Sequence, residues 1–175
     1  MTSVRVQIAH SSPSMVDTRR VRLLWCALLV GTSSLFVLAL LPPFLPVEMQ
    51  SVVRQCFASV CHQWPSRSPQ IGGVPIALCD RCSGVYLGLV GGVAATGWGR
   101  FPWRTLGGHG RYLLLGAVVP LGLNWIGPVL GLWGNGPLSR ALTGLLFGGV
   151  AASYVANRLL QRVTRTASAQ GPEHR

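Results

Sequence analysis

Four cysteines and a histidine, Cys56, Cys61, His62, Cys79 and Cys82, gather in one short stretch of an otherwise oily chain, spaced C-x4-C-H, sixteen residues, then C-x2-C. Thiolates and neutral imidazole are the ligands of tetrahedral zinc. A C-x2-C pair with a second pair about fifteen to twenty residues away is metal-ligand spacing. Cys61, His62, Cys79 and Cys82 would make a closed Cys3His zinc site, provided the backbone turns sharply between the adjacent Cys61 and His62. Cys56 is the substitute ligand.

The same thiols permit redox chemistry. Outside the cytoplasm an even set of four cysteines (Cys56, Cys61, Cys79 and Cys82) forms disulfides that persist, in any of three pairings. Arg81, between Cys79 and Cys82, and a following helix N-terminus favour the thiolate. Haem attachment is excluded, because "CDRCS" has serine where C-x-x-C-H requires histidine. Cys26, alone in an apolar run, reads as a small hydrophobe.

What positions these residues is a membrane. With 49% hydrophobic and 11% charged residues, the chain has too little charge for a soluble domain of 175 residues. Four apolar stretches are near the length that crosses a bilayer as a helix, at about 23–41, 83–99, 112–132 and 138–156. The first follows Arg19, Arg20 and Arg22, as a signal peptide would, but it is too long for one and lacks a small-residue cleavage site. The expectation is an all-α integral membrane protein with a four-helix domain over 19–160. Short disordered tails at 1–18 and 161–175 flank it.

The arginines set its orientation. All fifteen basic residues are arginine, and the net charge is +11. They sit at the ends of oily segments, which matches anionic lipid headgroups at cytoplasmic tails and argues against nucleic acid. Eleven arginines fall in the tails and the loop near residues 100–111, against four (Arg54, Arg67, Arg81 and Arg140) on the opposite side. Both termini are therefore expected inside, and the Cys/His-rich loop 42–82 between helices one and two outside. The expected location is a bacterial or archaeal plasma membrane.

Within the spans, Gly84, Gly88 and Gly92 share one helix face, as do Gly144, Gly148 and Ala152. Such small-residue seams suit a homodimer or a monomer equally. Asn124, an amide at membrane depth near Pro120 and Pro128, reads as interhelical glue or, alternatively, as a ligand-binding residue. On the external side Arg67, Arg81 and Arg140, with Gln63 and Tyr86, could frame a pocket for a small anionic or lipid-like ligand. Hydrolysis at the metal is disfavoured, since Asp80 is the one nearby acid that could serve as general base.

Two resemblances bear on these readings. Four helices, internal termini and a C-x-x-C at the external end of the second are similar to the quinone-linked, disulfide-forming membrane oxidoreductases. That likeness implies quinone as the redox cofactor, but the later external loop "GLWGNGP" lacks their second cysteine pair. More specifically, Cys61-His62-Gln63, Arg67-Ser68 and Cys79-x-Arg81-Cys82-x-Gly84-x-Tyr86-x-Gly88 resemble the signature of an uncharacterised family of small predicted membrane proteins, a domain of unknown function. "SRALTGLLFG" at 139–148 matches its later Arg-x-x-Thr-Gly stretch. The resemblance implies an aspartate followed by glycine in the third span, where this chain has Asn124-Trp125; an amide hydrogen-bonds but does not ionise.

Overall fold

The computed structural model describes residues 15–97 and 110–169. Its main elements are helices: α1 (Met15–Leu40), α2 (Val47–Phe57), α3 (Asp80–Gly97), α4 (Gly110–Val129) and α5 (Pro137–Ala169). Three of them carry segments long and apolar enough to cross a membrane, Thr18–Leu40, Gly110–Val129 and Pro137–Val163. Large apolar side chains on these helices, among them Leu23, Val30, Leu115, Val119, Leu142 and Val155, stand exposed. In water such a surface would be costly, whereas lipid tails solvate it. α3 is not among these segments: its first turn carries the charged Asp80 and Arg81, and its middle is rich in glycine.

Residues 15–18 and 161–169, which the sequence reading leaves in the tails, are turns of α1 and α5; the rest of both tails lies outside the described residues. So do Arg100 and Arg104 of the loop between α3 and α4. α4 runs unbroken through Pro120 and ends at Val129 rather than 132. Its end is a Schellman turn. Gly131 takes the left-handed conformation (φ 69°), the Leu132 N–H donates to the Gly127 carbonyl at 2.9 Å, and the Gly131 N–H donates to the Pro128 carbonyl at 3.2 Å.

The two small-residue seams face each other within this one chain. A Cβ on Gly84 would collide with the Ala141 carbonyl, one on Gly88 with that of Leu145, and one on Gly148 with that of Val85. α3 and α5 therefore lie backbone to backbone and run parallel, since contacts advance along both together. α1 packs antiparallel to α3. Its Trp25 indole N–H donates to the Val93 carbonyl at 2.8 Å, and at the other end the Ala77 N–H donates to the Ala39 carbonyl at 2.9 Å.

The segment expected as a bare external loop has structure of its own. α2 places Val53 and Phe57 one turn apart on its buried face. A two-residue hairpin pairs Gln70 with Pro75 and Ile71 with Val74, and its turn is made by Gly72 and Gly73, both at positive φ. Arg54 on α2 ties the hairpin down by donating to the Pro75 carbonyl at 2.7 Å. Together Val53, Phe57, Cys61, Ile76, Ala77 and Leu78 bury against Ala39 at the end of α1. This small core fixes the segment over one end of the helices.

Candidate metal centre and arginine-lined cavity

The Cys61, Cys79 and Cys82 sulfurs all lie within 4.8 Å of one another. Each arrives by a different local device. Cys61 closes the turn that follows α2, with its N–H on the Phe57 carbonyl at 2.9 Å; Cys79 directly precedes α3; Cys82 occupies the first turn of α3. The Cys79 N–H donates to the Cys61 sulfur at 3.3 Å, a bond that stabilises sulfur as it takes negative charge. Hydrogen bonds from the Cys61 and Cys82 side chains hold the Cys79 thiol well below the usual thiol range, against the opposing effect of burial. Tetrahedral zinc with sulfur bonds of ~2.3 Å spaces its sulfurs ~3.8 Å apart. A spacing within 4.8 Å is compatible with such an ion.

The structure brings together three of the four expected ligands. Cys61 is buried and its neighbour His62 is exposed, and the imidazole is not part of the triplet. The next residue, Gln63, turns the chain sharply through positive φ (49°) and donates to the Arg54 carbonyl at 2.6 Å. Cys56 is exposed on α2, and it too stands apart from the triplet. All five cysteines are free thiols.

A cavity of about 620 Å³ opens beside the cluster. Its walls include all three clustered cysteines, His62 and the arginines Arg67, Arg81 and Arg140. Trp64, Trp125 and Val129, all exposed, add an apolar side. Gln63 and Tyr86, expected to frame the pocket, are not among its lining residues. Tyr86 meets Phe57 edge to face at 5.9 Å, joining α3 to α2.

Behind the cavity runs a polar network that crosses three helices. Arg140 on α5 pairs with Asp80 on α3 at 3.3 Å, and both side chains are largely buried. The rest of the Arg140 guanidinium donates to Asn135, to its Oδ1 at 2.9 Å and its carbonyl at 2.8 Å. Asn135 donates in turn to the Asn124 carbonyl at 2.6 Å. Arg81 donates to Asn124 Oδ1 at 3.2 Å, and Asn124 donates to Ser139 at 3.3 Å. The Arg81 Nε is buried without a hydrogen-bond partner. Arg67 lies apart from this network and stacks on Trp64 at 5.2 Å.

The arrangement gives Asn124 a definite task, holding Arg81 toward α4. Asn135 is the participant that sequence reasoning missed. It stands in "GLWGNGP", a stretch empty of cysteine and charge, and reaches Asn124 because the Schellman turn folds the chain back over the end of α4.

A family model described as "Predicted membrane protein (DUF2085)" matches residues 61–154, more than half of the chain. The chain belongs to this family. The matched segment begins at Cys61, and so holds the three clustered thiols and every residue of the polar network but leaves Cys56 outside. An uncharacterized protein of Methanocaldococcus jannaschii is 27% identical over 103 residues. That alignment covers 57% of this chain and 63% of the relative, so the chain spans less than two thirds of the relative's length. No solved structure matches the chain.

Proposed function

We propose that this member of the family is a four-span protein of a prokaryotic plasma membrane, with both termini inside. Its external segment, 42–82, is stapled by zinc over a binding cavity for a small anionic or lipid-like ligand. The observation that carries the reading is the placement of three convergent thiols and three arginines on the walls of one cavity. Thiolates hold the segment through the metal, and guanidiniums attract a carboxylate or phosphate. A volume near 620 Å³ lies in the range of small-molecule sites.

The four-span reading rests on α3. Its 18 residues reach about 27 Å, close to the hydrocarbon thickness. Its glycine face is shielded from lipid by α5. Orientation rests on charge: Arg19, Arg20, Arg22, Arg111, Arg158 and Arg162 mark the helix ends opposite the thiols, where cytoplasmic headgroups would meet them.

The test is metal analysis of detergent-purified protein, paired with a thiol count under denaturing conditions with and without reductant. Stoichiometric zinc with reduced thiols is expected, and Cys79→Ser should lower zinc affinity by at least about 100-fold. Absence of metal, with thiols appearing only after reduction, would sink the zinc reading. It would favour a second one, supported by the lowered pKa of Cys79. Two of the thiols would then close a disulfide and pass two electrons and two protons to an acceptor such as a quinone, which leaves as quinol.

A further inference from the structure

The three thiols leave a metal ion one coordination position short, and the surroundings determine what can fill it. Structural zinc sites are closed by four protein ligands, whereas reactive or ligand-binding sites keep one position open. Among the described residues no other His, Cys, Asp or Glu joins Cys61, Cys79 and Cys82. Asp80 is nearest in sequence, but its carboxylate is engaged by Arg140 at 3.3 Å. His62 is exposed and lines the same cavity, but it stands outside the thiol triplet.

All three cysteines line the arginine cavity. We infer that the fourth position of the metal faces this cavity and is filled by an anionic oxygen or nitrogen ligand, held at once by the ion and by the Arg81 guanidinium. The inference rests on the zinc reading above and gives the ligand its chemical class. A tri-thiolate zinc carries a formal charge of about −1, so metal attraction alone would be weak for an anion. The cavity corrects that deficit. Asp80 neutralises Arg140, leaving Arg67 and Arg81 as the cations available to a ligand, and Arg81 has a buried Nε with no partner.

The ligand is a carboxylate or phosphate group. It can come as a free anion or as the headgroup of a membrane lipid, whose tail would meet the exposed Trp125 and Val129 on the apolar side.

The experiment loads the full chain in detergent with Co²⁺, whose visible bands report coordination, and titrates it with azide as the anionic probe. A saturable band shift is expected, unchanged in His62→Ala, with azide binding weakened about tenfold in Arg81→Gln. Should Arg81→Gln fail to fold because Asn124 loses its partner, the exposed Arg67→Gln gives the same test, with weakening of about threefold. Competition by inorganic phosphate assigns the site to free anions. Competition only by nanodiscs containing phosphatidate assigns it to a headgroup, and either result supports the ligand class. Stoichiometric Co²⁺ binding without an azide shift, or bands that change in His62→Ala, overturns the inference and closes the site with histidine. Failure to bind Co²⁺ at all removes the zinc reading itself, and the inference with it.

Discussion

The two ends of the helix bundle use the same side chain for opposite purposes. At the end bearing the helix N-terminus of α1 and the C-terminus of α5, Arg19, Arg20, Arg22, Arg111, Arg158 and Arg162 are all exposed. Two of them have local partners: Arg111 reaches the adjacent Tyr112 hydroxyl at 2.9 Å, and Arg158 stacks on Tyr154 at 5.3 Å. At the thiol end Arg54, Arg81 and Arg140 are half-buried, and each reaches far along the chain, to Pro75, Asn124 and Asp80 respectively. An exposed arginine on lipid is a delocalised electrostatic anchor. A buried arginine with fixed partners is a positioned group, costly to disturb. On the proposed reading, the difference separates orientation from ligand chemistry.

The sharpest way to break this contrast is Asp80→Asn. It leaves the Arg140 guanidinium buried without its counter-charge, and removing one partner of a buried pair costs about 3 kcal/mol or more. The expected result is a clear drop in the unfolding midpoint in detergent. The same measurement on an arginine at the opposite end should give almost none. A loss below about 0.5 kcal/mol would show the thiol-end network to be no more structural than a surface pair.

Asn124→Asp sharpens the comparison instead. Asn124 Oδ1 already accepts from Arg81 at 3.2 Å, so an ionised carboxylate there turns a neutral acceptor into a charge-assisted one. Stability should rise by about 1 kcal/mol. Azide binding to the Co²⁺-loaded protein should weaken about threefold to tenfold, because the cavity loses one net positive charge. The substitution restores the acidic residue that the family resemblance implies, and so asks whether this chain's amide makes the cavity more anion-attracting. Unchanged azide affinity would mean that Arg81 does not serve the ligand.

How much of this could be read from residues alone varied with the range of the interaction involved. Hydropathy and the glycine spacing are local periodic signals, and they placed α1, α4 and α5 to within a few residues at their apolar ends. They also marked both faces of the α3–α5 seam, though not that the faces meet in one chain. The site was half legible. Three thiols converge as their spacing implies, whereas His62 lies outside the triplet: whether two adjacent side chains converge depends on the backbone at Cys61 and His62, which spacing does not specify. α2 carried usable signals, Pro46 before it, Glu48 in its first turn and Arg54 in its last, which the expectation of a loop between spans obscured. Asn135 had no signal of its own, and only Gly131 past the end of α4 hinted that the chain folds back there.

The weakest expected effect belongs to the exposed end. Arg158 and Arg162 project from α5 beyond its packed seam with α3, so replacing both with glutamine should shift stability by less than about 0.5 kcal/mol per site. Their contribution is to the field at the membrane surface, worth about 1 kcal/mol per arginine near anionic lipid and screened within about 10 Å at ordinary salt. The double variant should therefore retain its zinc and its azide response. It should differ from the native chain in reconstitution: a smaller fraction inserted with the thiols outside in vesicles rich in anionic lipid, and a smaller difference as salt rises. Labelling of Cys56, exposed and outside the thiol cluster, with a membrane-impermeant maleimide reads that fraction directly. Equal labelling of both proteins at low salt would remove charge at this end as the determinant of orientation. Loss of zinc from the double variant would mean that the two ends are energetically coupled through α5.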